Sequence, residues 1–251
     1  MNEKNNKEID SIELTEEKYK TLLRIFSIIG EYCTDIDITN GVVRQKASSG
    51  KCRFEMNLKS LIGERSLPIS IIKEKIKVFK LLDGNVKIFF GDNFFMFQDS
   101  VSSFNIKKPS RDFFSNKFEE ESVLRDLGEI EGEVVEFSIP KELLKKIRVV
   151  VKEFNVDAVS IRIDKSGKGV LFSSKNTNDS RFLFTSEIKS SMDFGEVVTI
   201  NLKDTTFVID CDDDLHCFIN KLKEKEQTIN IFQTKISDID LRMYSTSVIL
   251  R

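Results

Sequence analysis

Hydrophobic residues recur every three or four positions in two long stretches of the chain, 21–33 and 140–154. This spacing predicts two amphipathic α-helices. After each stretch, apolar and polar residues alternate, which is the pattern of half-buried β-strands. Two weaker helical patterns cover 69–82 and the region near 215–225. Strands combined with a few separate helices indicate an α+β fold.

The two long helical patterns also mark an internal repeat. When the chain is shifted by 121 residues (142 − 21), 21–33 lies over 142–154 and the apolar positions coincide. Each half then runs helix, strands, second helix and strands, so the pattern is a duplicated domain rather than a solenoid of short repeats. The charged, weakly periodic stretch between the halves is typical of a connector. We therefore predict a disordered tail at 1–13, domains at 14–115 and 134–251, and an interdomain connector at 116–133.

Composition limits the class of protein. The chain has 251 residues, 40% of them hydrophobic, which is enough for one large core or two small ones. The net charge is −2, so any nucleic-acid surface must be a local concentration of cations. The four cysteines form no C-x-x-C pair and indicate reduced thiols of a cytoplasmic protein. No apolar run is long enough to span a membrane, and the polar N-terminus lacks a signal-peptide core.

Candidate catalytic chemistry is sparse. His216 is the only histidine, and it lies in a segment that resembles a helix start, so we interpret it as a helix-surface residue. The acidic run 210–214 could hold a cation, but acids also collect at helix N-termini, which we favour. "SGKG" at 166–169 indicates a hairpin turn. We therefore predict no enzyme activity, no cofactor and no metal.

Cations form rows along the predicted helices. In the helix at 140–154, four of them lie at spacings of four, three and four, within an arc of about 60°. Like charges at i and i+4 destabilise a helix slightly, so an unmixed positive row in an acidic protein suggests an anionic ligand. No aromatic residue interrupts the rows, which favours a phosphate backbone over stacked bases. The residues predicted to contact a nucleic-acid backbone are Lys20, Arg24, Lys73, Lys77, Lys80, Lys141, Lys145, Arg148 and Lys152.

Four segments together resemble one protein family. They are "NGVVRQKASSGKCRFEMNL", "IKVFKLLDG", "DLGEIEGEVVEFSIPKELLKKI" and "YSTSVILR". Their order, spacing and duplication resemble the DNA sliding clamps, the processivity factors of DNA polymerases. The two-domain type, as in proliferating cell nuclear antigen and the T4-like phage clamps, is the most similar, and the resemblance runs from about Lys18 to Arg251.

This resemblance implies a fold and a function. The fold is two clamp domains with helices on one face of antiparallel sheets, and three subunits close head-to-tail into a homotrimeric ring. The ring encircles double-stranded DNA without reading its sequence, is opened by a clamp loader and tethers the replicative DNA polymerase. Its place is the nucleoid or a viral replication site, and the composition is compatible with a phage or viral source.

The resemblance also implies two contact sites. Subunits join by edge-strand pairing, which we expect between 101–107 and 170–175. A polymerase peptide docks in a small apolar groove beside the connector. The matching positions for this partner-peptide pocket are Ala47, Cys52, Leu127, Ile130 and Val248.

Two other functions stay open at this point. One is a viral accessory factor that uses the clamp fold in transcription or recombination. The other is a nucleic-acid enzyme with a metal ion held by Asp210, Asp212, Asp213 and Asp214. The second is weaker, because neighbouring side chains of an extended stretch diverge, whereas nuclease metal sites need carboxylates from separate elements.

Overall fold

The structure is a computed structural model in which the chain folds into two compact units. One comprises Met1–Val43 and Leu58–Ser115, and the other comprises Arg44–Asn57 and Asn116–Arg251. The first is called unit 1 and the second unit 2. The described residues are 9–48, 52–110, 114, 130–153, 158–163, 169–175, 181–190, 197–201, 211–222 and 227–250. Residues 1–8 of the predicted tail lie outside these residues, but Ser11–Leu14 form a strand that pairs with 86–89, so the predicted disordered tail is too long at its C-terminal end. The other predicted domain boundaries remain a prediction.

The described residues of unit 1 form three helices and two groups of antiparallel strands. Strands β1, β6, β7 and β8 pair in that order, and β2 pairs with both β3 and β5. The helices are α1 (Glu16–Tyr32), α2 (Lys59–Ile62) and α3 (Ile72–Phe79). The strands are β1 (Ser11–Leu14), β2 (Ile36–Thr39), β3 (Val42–Lys46, which continues into unit 2), β5 (Leu67–Ile69), β6 (Val86–Phe90), β7 (Phe94–Gln98) and β8 (Ser103–Lys107).

Helix α1 begins at Glu16, before the predicted stretch 21–33, and packs through the apolar face that the sequence predicts. The Thr15 side chain accepts a hydrogen bond from the backbone N–H of Lys18, an N-cap that two glutamates in the first turn reinforce. Near the other end, Gly30 lets α3 approach closely. A Cβ atom built on Gly30 would lie 3.2 Å from Ile72 Cγ2 and 3.4 Å from Ile76 Cδ1. A side chain larger than that of glycine would therefore crowd Ile72 and Ile76 where the two helices cross.

Aromatic side chains join the helices of unit 1 to its sheet. The Phe79 ring lies 6.0 Å from Phe26 and 4.5 Å from Phe97, centroid to centroid, and all three are buried. The Tyr19 hydroxyl donates a 2.8 Å hydrogen bond to the Phe79 carbonyl oxygen. Burial raises the pKa of Tyr19, so the phenol stays protonated as a donor. These contacts fix α1 against α3 and both helices against the sheet.

Unit 2 contains one described helix and most of the strands. The helix is α4 (Lys141–Glu153), which matches the predicted helix at 140–154. Strands β9 to β16 pair in the circuit β13-β10-β11-β12-β9-β14-β15-β16, which closes through β13–β16, and β4 pairs with β16. The strands are β4 (Cys52–Asn57), β9 (Ile130–Ile139), β10 (Ala158–Ile163), β11 (Gly169–Lys175), β12 (Arg181–Ser190), β13 (Val197–Asn201), β14 (Leu215–Leu222), β15 (Gln227–Ile236) and β16 (Ile239–Leu250).

The duplication is visible in the strand pairing. Strands β1 to β8 correspond in order to β9 to β16, with α1 matched to α4. The antiparallel pairs β1–β6, β6–β7, β7–β8 and β2–β5 recur as β9–β14, β14–β15, β15–β16 and β10–β13. The expected α+β fold with antiparallel sheets is thus confirmed.

The predicted fourth helix is wrong. Residues 215–222 form β14, which pairs with β9 on one side and β15 on the other. Leu215, Cys217 and Ile219 are buried while His216 is exposed, a period of two. The apolar residues of this short run also fit a helical spacing, and sequence periodicity alone does not separate the two. In the repeat, the place of a second helix falls on 202–210, outside the described residues.

The acidic run before β14 has a structural purpose different from the one predicted. The Asp214 carboxylate accepts a 2.8 Å hydrogen bond from the backbone N–H of Lys141, the first residue of α4. Asp212 accepts a 3.0 Å hydrogen bond from the backbone N–H of Ser237. Acids do serve a helix N-terminus here, but the helix lies about 70 residues earlier in the chain.

The expected subunit contact through 170–175 is also wrong. Strand β11 pairs with β12 along its whole length and with β10 from Val170 to Ser174, so both of its edges are occupied. Strand β12 pairs with β9 only from Ile188 to Ser190, and no described strand pairs with that side of Arg181–Glu187. Strand β8 ends its sheet, as predicted for an edge strand. The open edges among these strands are therefore those of β8 and β12.

Candidate nucleic-acid interface

Helix α3 carries the clearest row of cations. Its buried face holds Ile72 and Phe79, and Lys73, Lys77 and Lys80 are exposed on the remaining surface. Among the residues that the structure describes, no carboxylate forms an ion pair with any of these three lysines. Their charges are available to an external anion.

The cations of α1 run beside this row in the opposite direction. The Tyr19–Phe79 hydrogen bond brings the start of α1 to the end of α3, and Gly30 meets the start of α3. Lys20 directly follows Tyr19 and Lys80 directly follows Phe79, and both lysines are exposed. The two rows therefore lie side by side in unit 1.

The α1 row is weaker than its sequence suggests. Lys20 forms an ion pair with Glu16 one turn earlier, and the hydrogen bond that the Lys20 ammonium donates to the Glu16 carboxylate raises the pKa of Lys20. Arg24 is half-buried and has partners within the chain. Glu31 occupies the fourth place of the row. An anion that binds here must compete with these carboxylates.

Helix α4 presents the third predicted row. Lys145 and Arg148 are exposed and Lys141 is half-buried, whereas Leu144 and Ile147 face the core of unit 2. Lys145 forms a 2.7 Å ion pair with Glu142, and this contact lowers the pKa of Glu142. Lys152 belongs to the helix by its backbone, and its side chain lies outside what the structure describes.

Sequence reasoning missed both of these carboxylate contacts. Glu16 precedes Lys20 by four residues and Glu142 precedes Lys145 by three, and both spacings place the partners on one helix face. The signal was therefore present in the sequence. Each such pair is exposed to solvent and contributes little to stability, so a polyanion can displace it.

The predicted partner-peptide pocket is only partly described. Ala47 follows β3 and Cys52 begins β4, and the Ala47 N–H donates a 2.9 Å hydrogen bond to the Cys52 carbonyl oxygen. Their side chains are 3% and 1% exposed. Ile130 and Val248 are placed by their backbones in β9 and β16, and Leu127 lies outside the described residues. That the five residues form one groove remains a prediction.

Two further features bear on other classes of protein. His216 is exposed on β14, and its Nδ1 lies 2.8 Å from Ser138 Oγ on β9. In the described part of the chain, no three histidine, cysteine or acidic side chains gather closely enough to hold a metal ion. No described helix combines the length and apolar character needed to cross a bilayer.

A duplicated domain of antiparallel strands, with amphipathic helices that carry cations, is the architecture of the DNA sliding clamps, and this chain has that fold. No protein-family model matches the sequence, and no curated protein matches it either. The likeness is carried by solved structures, at low sequence identity.

Three of these structures cover almost the whole chain. Proliferating Cellular Nuclear Antigen from Entamoeba histolytica matches 94% of this chain and 98% of its own, at 13% identity and a TM-score of 0.66. The PCNA2–PCNA3 complex from Sulfolobus tokodaii matches 95% and 99%, at 11% identity and 0.65. A. fulgidus PCNA, solved with the C-terminal region of FEN-1 bound, matches 96% and 99%, at 12% identity and 0.67.

Proposed function

We propose that this chain is the subunit of a sliding clamp that encircles duplex DNA and tethers a DNA polymerase, without catalytic activity of its own. The observation that carries the proposal is the pair of antiparallel helices α1 and α3, whose exposed lysines lie on a fold shared with clamps over nearly the whole chain. Phosphates of a duplex suit such a surface because lysines supply charge without reading bases.

Assembly would use the open strand edges of β8 and β12. Unit 2 already contains one junction of this type, since β16, the last strand of the second half, pairs with β4 from the first half. In the repeat, β8 corresponds to β16 and β12 corresponds to β4, so β8 and β12 of two subunits can form the same kind of junction. We propose that β8 of one subunit pairs with Arg181–Glu187 of the next, and that three copies close a ring.

Hydrogen exchange tests this assembly directly. Amides of β8 and of Arg181–Glu187 should exchange more slowly when the protein concentration is raised through the assembly range. Amides of β11 are an internal control, because they are already paired on both sides. If sedimentation shows a trimer while neither β8 nor β12 gains protection, the interface lies elsewhere.

Encirclement of DNA is tested by topology. The protein should remain on a nicked circular duplex through a high-salt wash and leave when the circle is cut, because a closed ring can only slide off an end. Retention that is equal on linear and circular DNA would show ordinary surface binding instead.

Tethering of a polymerase is the finer part of the proposal. The A. fulgidus PCNA structure contains the bound C-terminal region of FEN-1, so one protein of this fold does take a partner segment. For this chain we propose the groove of Ala47, Cys52, Leu127, Ile130 and Val248. A Leu127→Glu variant should lose stimulation of its polymerase and keep retention on circular DNA. Full stimulation by the variant would place the groove elsewhere.

A further inference from the structure

The sheet β1-β6-β7-β8 of unit 1 has two unlike faces. On one face, the Phe97 ring packs 4.5 Å from Phe79 of α3, centroid to centroid. Successive residues of a strand point to opposite faces, so Phe89, Phe94 and Met96 lie on the other one. These three side chains are half-buried, whereas the second face of such a sheet is normally polar.

The three apolar residues of β6 and β7 are contiguous. Phe89 lies directly opposite Met96 in the register of the two strands, and Phe94 is two residues from Met96 on the same face. The Phe94 ring leans across to β6 and lies over Gly91, where a Cβ atom would be 2.5 Å from Phe94 Cε1. The absence of a side chain at Gly91 thus lets the ring lie flat on the sheet.

Ile9 extends this group toward β1. The Phe90 N–H donates a 2.8 Å hydrogen bond to the Asp10 carbonyl oxygen, which continues the β1–β6 pairing beyond the start of β1. In this register Ile9 falls opposite Gly91, beside the Phe94 ring, and it is 48% exposed. The four side chains form one surface, here named the apolar patch, which consists of Ile9, Phe89, Phe94 and Met96.

Two lysines lie at opposite corners of the apolar patch. The Lys87 ammonium lies 5.0 Å from the centre of the Phe89 ring, and Lys107 is exposed opposite Phe94 in the β7–β8 register. The corners are four residues apart along the strands and two strands apart across them, which gives a diagonal of about 16 Å. Among the described residues of these four strands, Glu13 is the only acid on this face. The face is therefore net positive in a chain of net charge −2.

We propose that the apolar patch binds an amphipathic helix of a partner protein, with an acidic residue at each end of the helix's apolar stripe. A helix that spans the diagonal between Lys87 and Lys107 needs about eleven residues. Its apolar side chains, spaced three or four residues apart, would cover the patch, and its two acids would meet the two lysines. Phenylalanine and methionine are enriched in protein interfaces, as they are here.

This site uses the face of a sheet and needs no strand edge. The edge of β8 thus stays available for the proposed subunit assembly, and the proposal does not depend on encirclement of DNA. Residues 1–8, which precede Ile9, contain one apolar residue, Met1, and cannot supply an apolar stripe. A second copy of the chain is the alternative occupant, and the experiment below distinguishes it.

The probes are two fluorescent helical peptides of about 15 residues with leucines at helical spacing. They differ at two positions about eleven residues apart, which are both glutamate in one peptide and both lysine in the other. In anisotropy titrations of the full chain, the glutamate peptide should bind about ten-fold more tightly, the size expected for two solvent-exposed ion pairs. Lys87→Ala should reduce this preference, and Lys59→Ala, an exposed lysine outside the patch, should leave it unchanged.

Methionine methyl NMR locates the site without a substitution. The chain has five methionines; Met96 lies in the patch, whereas Met56 and Met243 are 1% and 0% exposed. The glutamate peptide should shift the Met96 signal and leave the other two in place. Ile9→Asn should weaken binding about five-fold, the effect of about 40 Å² of apolar surface that loses its contact. Val101→Asn, at an exposed valine outside the patch, should not weaken it.

Three results would each overturn the proposal: equal binding of the two peptides, no binding by either, or a Met96 signal that does not move. Sedimentation tests the alternative occupant. If Ile9→Asn lowers the self-association of the chain, the apolar patch is a contact between copies and the proposal is wrong.

Discussion

Removal of the three α3 lysines is the strongest test of the DNA interface. In a Lys73→Ala, Lys77→Ala, Lys80→Ala variant, three charges disappear that form no ion pair with a described carboxylate. Each phosphate that a lysine neutralises contributes about 0.9 to the slope of log affinity against log salt. If all three meet phosphates, the slope should fall by about 2.7.

The predicted difference is large enough to measure. When the salt concentration is raised from about 50 to about 200 mM, the DNA affinity of the unsubstituted protein should fall about 40-fold more than that of the variant, because their slopes differ by about 2.7. The assay is anisotropy of a labelled duplex of about 30 base pairs, titrated at several salt concentrations. Lys20→Ala should change the slope less than the removal of one α3 lysine does, because Lys20 already pairs with Glu16.

A matched control separates position from net charge. Lys59, Lys87 and Lys235 are exposed, and replacing them by alanine removes the same total charge; Lys59 pairs with Glu64, and Lys87 lies over the Phe89 ring. This control should keep the full slope. If both triple variants lower the slope equally, the protein acts through its overall charge, and the α3 row is not the interface.

Three further predictions concern unit 1. Gly30→Val should destabilise the protein by about 1–3 kcal/mol in urea unfolding, because its side chain enters the space of Ile72 and Ile76; an unchanged midpoint would mean that the helices separate freely. Tyr19→Phe should cost about 1 kcal/mol through the lost hydrogen bond to Phe79 and should leave DNA binding unchanged. Three backbone hydrogen bonds, from Asp83, Val101 and Ser102, hold the pKa of Asp99 below its ordinary value of 3.8. The charged form is therefore favoured in the folded state, and its stabilisation is present above pH 3.8 and lost as the pH falls through the folded pKa. Asp99→Asn should remove this part of the loss of stability at low pH. If the melting temperatures of both proteins fall identically as the pH is lowered, this reasoning is contradicted.

The sequence predicts the long elements well because their apolar faces exceed ten residues. Helix α4 begins and ends within one residue of the predicted stretch, and α1 ends within one residue of its predicted end. Helix α1 begins more than one turn before its predicted start, at the N-cap Thr15. The prediction for 215–222 is wrong because these eight residues fit both the helical and the strand period. Pairing with β9 and β15 decides between the two, and the sequence alone does not reveal these partners. The carboxylate partners of Lys20 and Lys145 were readable from spacing, whereas the cap of α4 by Asp214 depends on tertiary structure alone.

The pairing of β4 with β16 has a consequence for synthesis of the chain. Residues 52–57 leave the ribosome almost 200 residues before their partner, 241–245, is made. Throughout that interval β4 presents an unpaired edge with buried-type residues, Phe54 and Met56, and such edges recruit other chains. A nascent chain stalled after unit 1 should therefore aggregate or require a chaperone, and folding of the complete protein should be slow because its closing contact is among the most distant in sequence.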